Sequence, residues 1–120
     1  MTPFGLRLRG LRQARGLSQT ALATALQVSP AYLSALEHGR RGRPTAGLIH
    51  QVNEYFGLIW DEADELVELA RLSHPRVVVD TAGLSPAATE LANRLARDIR
   101  RLPDSSIATL NAVLDRASEG

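Results

Sequence analysis

Arginine is the residue type whose spacing in this chain most clearly indicates chemistry. Arg40, Arg41 and Arg43 fall within four positions, between Gly39 and Pro44. A guanidinium group is charged at neutral pH and presents a planar set of N–H donors, which suits phosphate oxygens. The cluster is therefore typical of a surface that binds a polyanion.

The distribution of charge supports the same interpretation. Residues 1–44 contain seven arginines and a single acid, Glu37, which gives this part of the chain a net charge of +6. Residues 45–120 contain seven arginines and twelve acids, a net charge of −5, so the whole chain carries only +1. A basic segment on a near-neutral chain is the electrostatic footprint of a polyanion binder, although a solvated basic face would have the same composition.

Composition and missing motifs exclude several classes of protein. The chain has no cysteine, so it has no disulfide framework, thiol nucleophile or thiolate metal site. No apolar run approaches the roughly 20 residues that span a bilayer, and we expect a cytoplasmic protein with no membrane partner. The histidines are far apart, and there is no phosphate-binding glycine loop or nucleophile elbow. We therefore expect no enzyme activity, catalytic residue, metal site or cofactor.

Hydrophobic periodicity predicts five helices in residues 1–74. Ser18, Ser29 and Thr45 are candidate N-caps for the second, third and fourth helices. A fifth helix is predicted from Asp61 to Ser73, because its acidic first turn suits the positive end of a helix dipole. The apolar positions that recur at helical spacing in the first four helices are Phe4, Leu8, Leu11, Leu22, Ala23, Leu26, Leu33, Leu36, Leu48, Ile49, Val52 and Phe56.

The remainder, residues 75–120, reads as a helical tail. Val77–Val79 are a β-branched run that fits an edge strand or an extended connector, and helices are predicted from Ser85-Pro86 and after Pro103. The predicted fold is all-α, with a five-helix domain at 1–74 and a C-terminal helical hairpin at 75–120. Both tail helices carry apolar stripes, formed by Leu91, Leu95, Ile99, Leu102, Ile107, Leu110, Leu114 and Ala117.

The order of motifs in residues 6–69 resembles the lambda-repressor-like, Cro-type (Xre) helix-turn-helix family. The resemblance is carried by Arg12, Gly16-Leu17-Ser18-Gln19, Leu22-Ala23, Val28-Ser29, Leu33-Ser34-Ala35-Leu36-Glu37 and Gly39-Arg40. It covers about half of the chain and implies a five-helix DNA-binding fold, with double-stranded DNA as the partner.

The resemblance also implies which residues contact DNA. Gln19, at the start of the second helix, is expected to bind a phosphate, and the third helix is expected to enter the major groove. With Leu33 and Leu36 inward, helical geometry turns Ala31, Ser34, Ala35 and His38 toward the groove. The full set of candidates is Gln19, Gln27, Ser29, Pro30, Ala31, Tyr32, Ser34, Ala35, His38, Arg40, Arg41 and Arg43.

The arginine cluster resembles the core of minor-groove AT-hook segments. Arg43 is the candidate for insertion into an A·T-rich minor groove, with Arg40 and Arg41 on phosphates; simple neutralisation of the backbone is the alternative. Arg12 and Glu37 match a pair that forms an internal salt bridge in related proteins. Gln27 departs from the family pattern, since glycine commonly occupies this left-handed turn position.

The predicted function is that of a sequence-specific transcriptional regulator, a dimeric repressor of a palindromic operator that also controls its own promoter. An antitoxin-type module, whose tail binds a protein partner such as a toxin, is the alternative. We expect the tail to form the homodimer interface, with packing onto the fifth helix as the alternative. Arg94, Arg97 and Arg101 share one face of the tail, either solvated or extending the DNA footprint.

Overall fold

Hydroxyl side chains begin the helices of the amino-terminal part of the molecule. The computed structural model describes residues 1–40 and 44–119. Thr2, Ser18, Ser29 and Thr45 each accept a hydrogen bond, at 3.0–3.1 Å, from a backbone N–H three residues further on. These caps start α1 (Pro3–Ala14), α2 (Gln19–Leu26), α3 (Pro30–Glu37) and α4 (Ala46–Phe56). The predicted caps at Ser18, Ser29 and Thr45 are confirmed.

The fifth helix begins without a side-chain cap. α5 (Asp61–Arg71) follows Trp60, whose backbone has φ 53° and ψ −125° and whose side chain is exposed. A non-glycine residue rarely adopts such a conformation. The acidic first turn of α5 compensates in part, because Asp61, Glu62 and Asp64 stabilise the positive end of the helix. The sequence predicted the helix but not the strained residue in front of it.

The five helices enclose one hydrophobic core. α1 packs against α3 and α5, α2 packs against α3 and α4, and α4 packs against α5. The core side chains are inward positions predicted from helical periodicity, with Leu66 and Ala70 of α5 among them, joined by Leu58. The predicted position Leu11 is only partly buried against this core. Ser73 closes the bundle: its hydroxyl accepts from the backbone N–H of Phe4 at 2.9 Å and donates to the carbonyl of Leu69 at 2.5 Å.

α1 and α3 lie unusually close together at Gly5. A Cβ atom built on Gly5 would overlap the backbone carbonyl oxygen of Leu36 and lie 2.9 Å from that of Glu37. Only glycine therefore allows this crossing without a shift of either helix. This contact sets how closely α3 packs against α1. The hydrophobic periodicity of the sequence did not predict it.

The tail contains two further helices, as predicted. Ser85 caps α6 (Pro86–Asp98), a short 3-10 helix covers Ile99–Arg101, and α7 (Asp104–Glu119) follows Pro103. Val77–Val79 have no regular secondary structure, so the connector and not the strand is the correct alternative. The chain divides into two units, residues 1–77 and 78–120. Among the described residues the fold is all-α, and no helix there has the length and apolar character that crossing a membrane requires.

Candidate nucleic-acid interface

α2 and α3 are joined by a tight turn whose geometry depends on Gln27. Gln27 has φ 60° and ψ 40°, the left-handed conformation expected for this position, and its side chain is exposed. The N–H of Val28 returns to the carbonyl of Ala23 at 3.0 Å, and that of Gln27 to the carbonyl of Thr24 at 3.2 Å. These bonds satisfy the last carbonyls of α2. The turn is therefore formed although the residue is not glycine.

α3 has an inner and an outer face. Leu33 and Leu36 are buried in the core, whereas Ser29, Pro30 and Ala31 are exposed at the start of the helix. Among the other candidate positions, Ser34 and Ala35 are half-buried, and the ring of Tyr32 packs against the edge of the core. The outer face thus consists of small side chains over a helix of eight residues.

His38 lies directly after α3, at the end of the outer face, and both nitrogens of its ring contact other groups of the protein. Its Nδ1 lies 2.8 Å from the carbonyl oxygen of Ser34, and its Nε2 lies 3.5 Å from Nη2 of Arg9. A tautomer with the proton on Nδ1 donates to Ser34 and accepts from Arg9, which satisfies both contacts. The imidazole therefore lies at the carboxyl end of α3 and contacts Arg9 of α1.

Glu37 connects the outer face to the bundle. Arg12 Nε and Nη2 donate to the two carboxylate oxygens of Glu37, each at 3.0 Å, and Arg9 Nε donates at 3.3 Å. The predicted Arg12–Glu37 pair is confirmed, and Arg9 is an additional partner. Arg12 Nη1 also donates to the carbonyl of Leu17 at 2.9 Å, so one guanidinium joins α1, the α1–α2 turn and α3.

The same contacts determine the ionisation of Glu37. Burial by itself would raise the pKa of this carboxyl. The hydrogen bonds and charge of Arg12, together with hydrogen bonds from Arg9 and the side-chain amide of Gln19, outweigh burial, so the pKa lies below its ordinary value of 4.5. Gln19, half-buried at the first position of α2, therefore stabilises the Glu37 carboxylate as well as standing at a helix start.

Several arginines of residues 1–44 bind groups within the bundle. Arg7 lies 3.9 Å from Glu62 of α5, and Arg15 donates to the carbonyls of Tyr55 and Phe56 at the end of α4, at 3.1 Å each. The arginines of α1 and of its C-cap, Arg15, thus bind other parts of the bundle. Charge counting did not separate these structural arginines from those available to a ligand, because both kinds are basic.

Arg40 remains on the exposed surface directly after α3. Its backbone N–H bonds the carbonyl of Ala35 at 2.9 Å, and its side chain is exposed. Of the predicted site residues, Gln19 therefore lies beside Glu37 of α3, Gln27 forms the turn before α3, and Arg40 directly follows α3. Arg41 and Arg43 lie outside the described residues.

Comparisons with known proteins agree with this architecture. The helix-turn-helix domain family matches residues 3–66. The HTH-type transcriptional regulator RamB of Mycobacterium tuberculosis is 46% identical over 57 residues, which are 48% of this chain and 12% of RamB. The HTH-type transcriptional repressor RghR of Bacillus subtilis is 40% identical over 65 residues, which are 50% of this chain and 48% of RghR. The chain thus spans less than half of either relative, and no solved structure matches it.

The five-helix fold with the exposed start of α3 is that of a helix-turn-helix domain. The chain belongs to the helix-turn-helix domain family, because the match covers more than half of its residues. The relatives carry the names of transcriptional regulators, so the resemblance found in the sequence motifs is confirmed.

Proposed function

We propose that this protein is a sequence-specific DNA-binding repressor that acts as a homodimer on a palindromic operator, including one in its own promoter. The observation that supports this function is the outer face of α3, which begins with the small exposed side chains of Pro30 and Ala31 and is followed by the exposed Arg40. The name of RghR, a transcriptional repressor, favours repression over activation.

α3 is the proposed recognition helix because of its size and surface. Its diameter with side chains, about 10–12 Å, matches a major groove about 12 Å wide. Ala31 and Ala35 allow close approach and can contact thymine methyl groups, while the hydroxyl of Ser34 can donate or accept a hydrogen bond at a base edge. His38 and Tyr32 lie at the borders of this surface, where phosphates pass.

Helix starts supply the proposed phosphate contacts. Gln19 is the first residue of α2, and Ala31 follows Pro30 at the start of α3, so the first turn of each helix has an N–H group beyond the one bound by its serine cap. Gln27 in the turn and Arg40 after α3 add an amide and a guanidinium. These contacts orient α3 without reading sequence.

Direct reading of bases is limited on this surface, so DNA shape must contribute to specificity. α3 itself carries no arginine, asparagine or glutamine, the side chains that form bidentate contacts with guanine or adenine. We propose that Arg43 enters a narrow A·T-rich minor groove beside the recognition site, with Arg41 on the backbone.

Selection from random duplexes with the purified full chain tests this function. We expect a two-fold symmetric site whose halves lie about one helical turn, roughly 34 Å, apart. Equal affinity for the selected site and for mixed-sequence DNA at moderate ionic strength would overturn the proposal. A reporter under the selected site then tests repression.

A pair of single-charge variants shows whether α3 is the surface involved. Ala31→Glu places a carboxylate on the exposed first turn of α3, where the helix dipole tolerates it. We expect the affinity for the selected site to fall at least tenfold, because the carboxylate meets the DNA. Gln51→Glu adds the same charge on the exposed side of α4 and should leave affinity within twofold. Equal losses in both variants would exclude α3 as the recognition helix.

A further inference from the structure

The Glu37 carboxylate is shared by two arginines of α1, so it balances only one of their two charges. Arg12 lies at 3.0 Å and Arg9 at 3.3 Å. Arg12 is the more deeply buried, with 13% of its side chain exposed, and it also binds the carbonyl of Leu17. Arg9 is 29% exposed and extends past Glu37 to the ring of His38. The surplus charge therefore belongs to Arg9, between α1 and the outer face of α3.

The ring of His38 has one nitrogen bound to its own helix. Nδ1 lies 2.8 Å from the carbonyl oxygen of Ser34, an acceptor, so Nδ1 carries a proton and donates it there. In the neutral ring Nε2 is then an acceptor, and Nη2 of Arg9, at 3.5 Å, is the group that donates to it. A second proton, on Nε2, would place two donors and two positive charges face to face.

Further cations lie around the imidazole ring. Arg40 follows two residues later and has an exposed side chain. The backbone of Met1 lies close to Gly39, so the amino group of Met1 also belongs to this end of α3. α2, which packs against α3 as well, has no charged side chain, and the carboxylate of Glu37 is bound by Arg12. An anion that reaches the ring therefore meets several positive charges.

We propose that Arg9 and His38 together bind one phosphate of the DNA backbone, and that His38 takes up a proton from solvent when they do so. Phosphate oxygens only accept hydrogen bonds, so Nε2 of His38 must carry a proton to bind one. The bond from Nδ1 to Ser34 is retained, and Nη2 of Arg9 lies close enough to Nε2 for both to donate to the same phosphate. The proposal rests on the DNA-binding function proposed above and adds Arg9 to the contact residues.

Proton uptake makes the affinity for DNA increase as the pH falls. Each proton taken up on binding changes the affinity by up to about tenfold per pH unit. We expect the dissociation constant for the selected duplex, at constant ionic strength, to be at least about fivefold lower at about pH 6 than at about pH 8, the range in which an imidazole changes charge. Fluorescence anisotropy measures this constant, and titration calorimetry in two buffers of different ionisation enthalpy counts the protons directly.

Two histidine variants identify the group that takes up the proton. His38→Gln keeps an amide that can donate to a phosphate but cannot change its charge, so its binding should show neither pH dependence nor proton uptake. His50→Gln is the matched control, because His50 is exposed on α4 and lies 3.1 Å from Glu54. It should behave like the wild type. Uptake that persists in His38→Gln would assign the proton to another group, such as the amino group of Met1, and would overturn the proposal.

Arg9→Gln tests the other half of the site. Loss of a phosphate contact should reduce the slope of log affinity against log salt concentration by about one for each bound subunit. Arg7→Gln is the control in the same helix, because Arg7 lies 3.9 Å from Glu62 of α5, and it should leave the slope unchanged. Circular dichroism checks the fold of both variants, since Arg9 also binds Glu37. An unchanged slope in Arg9→Gln would show that Arg9 only positions α3, and would overturn its place in the site.

Failure of this site is distinguishable from failure of the DNA-binding function. A protein that prefers the selected duplex but shows no pH dependence and no proton uptake keeps the proposed function and refutes the phosphate site. A protein that shows no preference for the selected duplex at any pH refutes the function, and the site with it.

Discussion

The carboxylate of Glu37 in α3 accepts two hydrogen bonds from the guanidinium of Arg12 in α1, both at 3.0 Å, and none of its side-chain surface is exposed. The next residue, His38, ends the outer face of α3 and contacts Arg9 of α1. Two adjacent residues, Glu37 and His38, thus attach α3 to α1. This arrangement ties the orientation of the proposed recognition helix to the stability of the bundle.

Removal of Arg12 should therefore be costly. Arg12→Ala leaves a buried carboxylate without its main partner and should lower the free energy of unfolding by about 3–5 kcal/mol, measured by urea denaturation. Arg7→Ala is the matched control in the same helix, because the Arg7–Glu62 pair is 3.9 Å apart and partly exposed. It should cost less than about 1 kcal/mol. Similar losses in the two variants would contradict a special role for the Arg12–Glu37 pair.

The lowered pKa of Glu37 predicts loss of stability in acid. The carboxyl has an ordinary pKa of 4.5 in the unfolded chain and a lower pKa in the folded protein, so the unfolded state binds the proton first. Its contribution is complete above pH 4.5 and disappears as the pH falls through the folded pKa. Urea denaturation from pH 7 downward should show the wild type losing more stability than Glu37→Gln, which has no carboxyl to protonate. Parallel profiles would show that another group controls acid unfolding.

Local signals in the sequence were sufficient to predict the helices. The caps at Ser18, Ser29 and Thr45 and the inward leucines obey rules that operate within one or two turns, so they can be recognised without the fold. The left-handed turn at Gln27 and the Arg12–Glu37 pair were expected through the family resemblance, and the structure confirms both.

Contacts between distant helices were not predictable in the same way. The binding of Arg15 to the end of α4 and the share of Arg9 in the Glu37 cluster depend on where α1 crosses its neighbours. The conformation of Trp60 was missed for a different reason, because tryptophan rarely adopts a positive φ. Contacts of the candidate side chains with DNA remain predictions, since they require the ligand.

The crossing of α1 and α3 predicts opposite effects for two glycines of the same helix. Gly5→Ala would place a methyl group against the carbonyls of Leu36 and Glu37 and should lower the free energy of unfolding by about 1–3 kcal/mol. Gly10→Ala meets no atom within 4 Å and should raise it by about 0.5–1 kcal/mol, because alanine favours the helix. Chemical denaturation of both variants is the measurement. An increase in the free energy of unfolding for Gly5→Ala would show that α1 and α3 can move apart without loss of stability.

Gln27 allows backbone strain to be separated from DNA contact. Gln27→Gly should raise the free energy of unfolding by about 1 kcal/mol, because glycine adopts the left-handed turn without steric cost. Gln27→Asn keeps an amide and also tolerates this conformation. If the amide contacts DNA as proposed, the glycine variant should be more stable yet bind the selected site more weakly than the asparagine variant, as judged by denaturation and gel shift. Equal binding by both would remove Gln27 from the interface.

The salt dependence of binding tests Arg40 as a phosphate contact. Arg40 is exposed directly after α3, so Arg40→Ala should weaken binding to selected and mixed-sequence DNA by similar factors. It should also reduce the slope of log affinity against log salt concentration by about one for each bound subunit, because one fewer counterion is released. Arg76→Ala removes another exposed arginine, near the carboxyl end of the same unit, and should leave the slope unchanged. A loss restricted to the selected site would instead make Arg40 a base-reading residue.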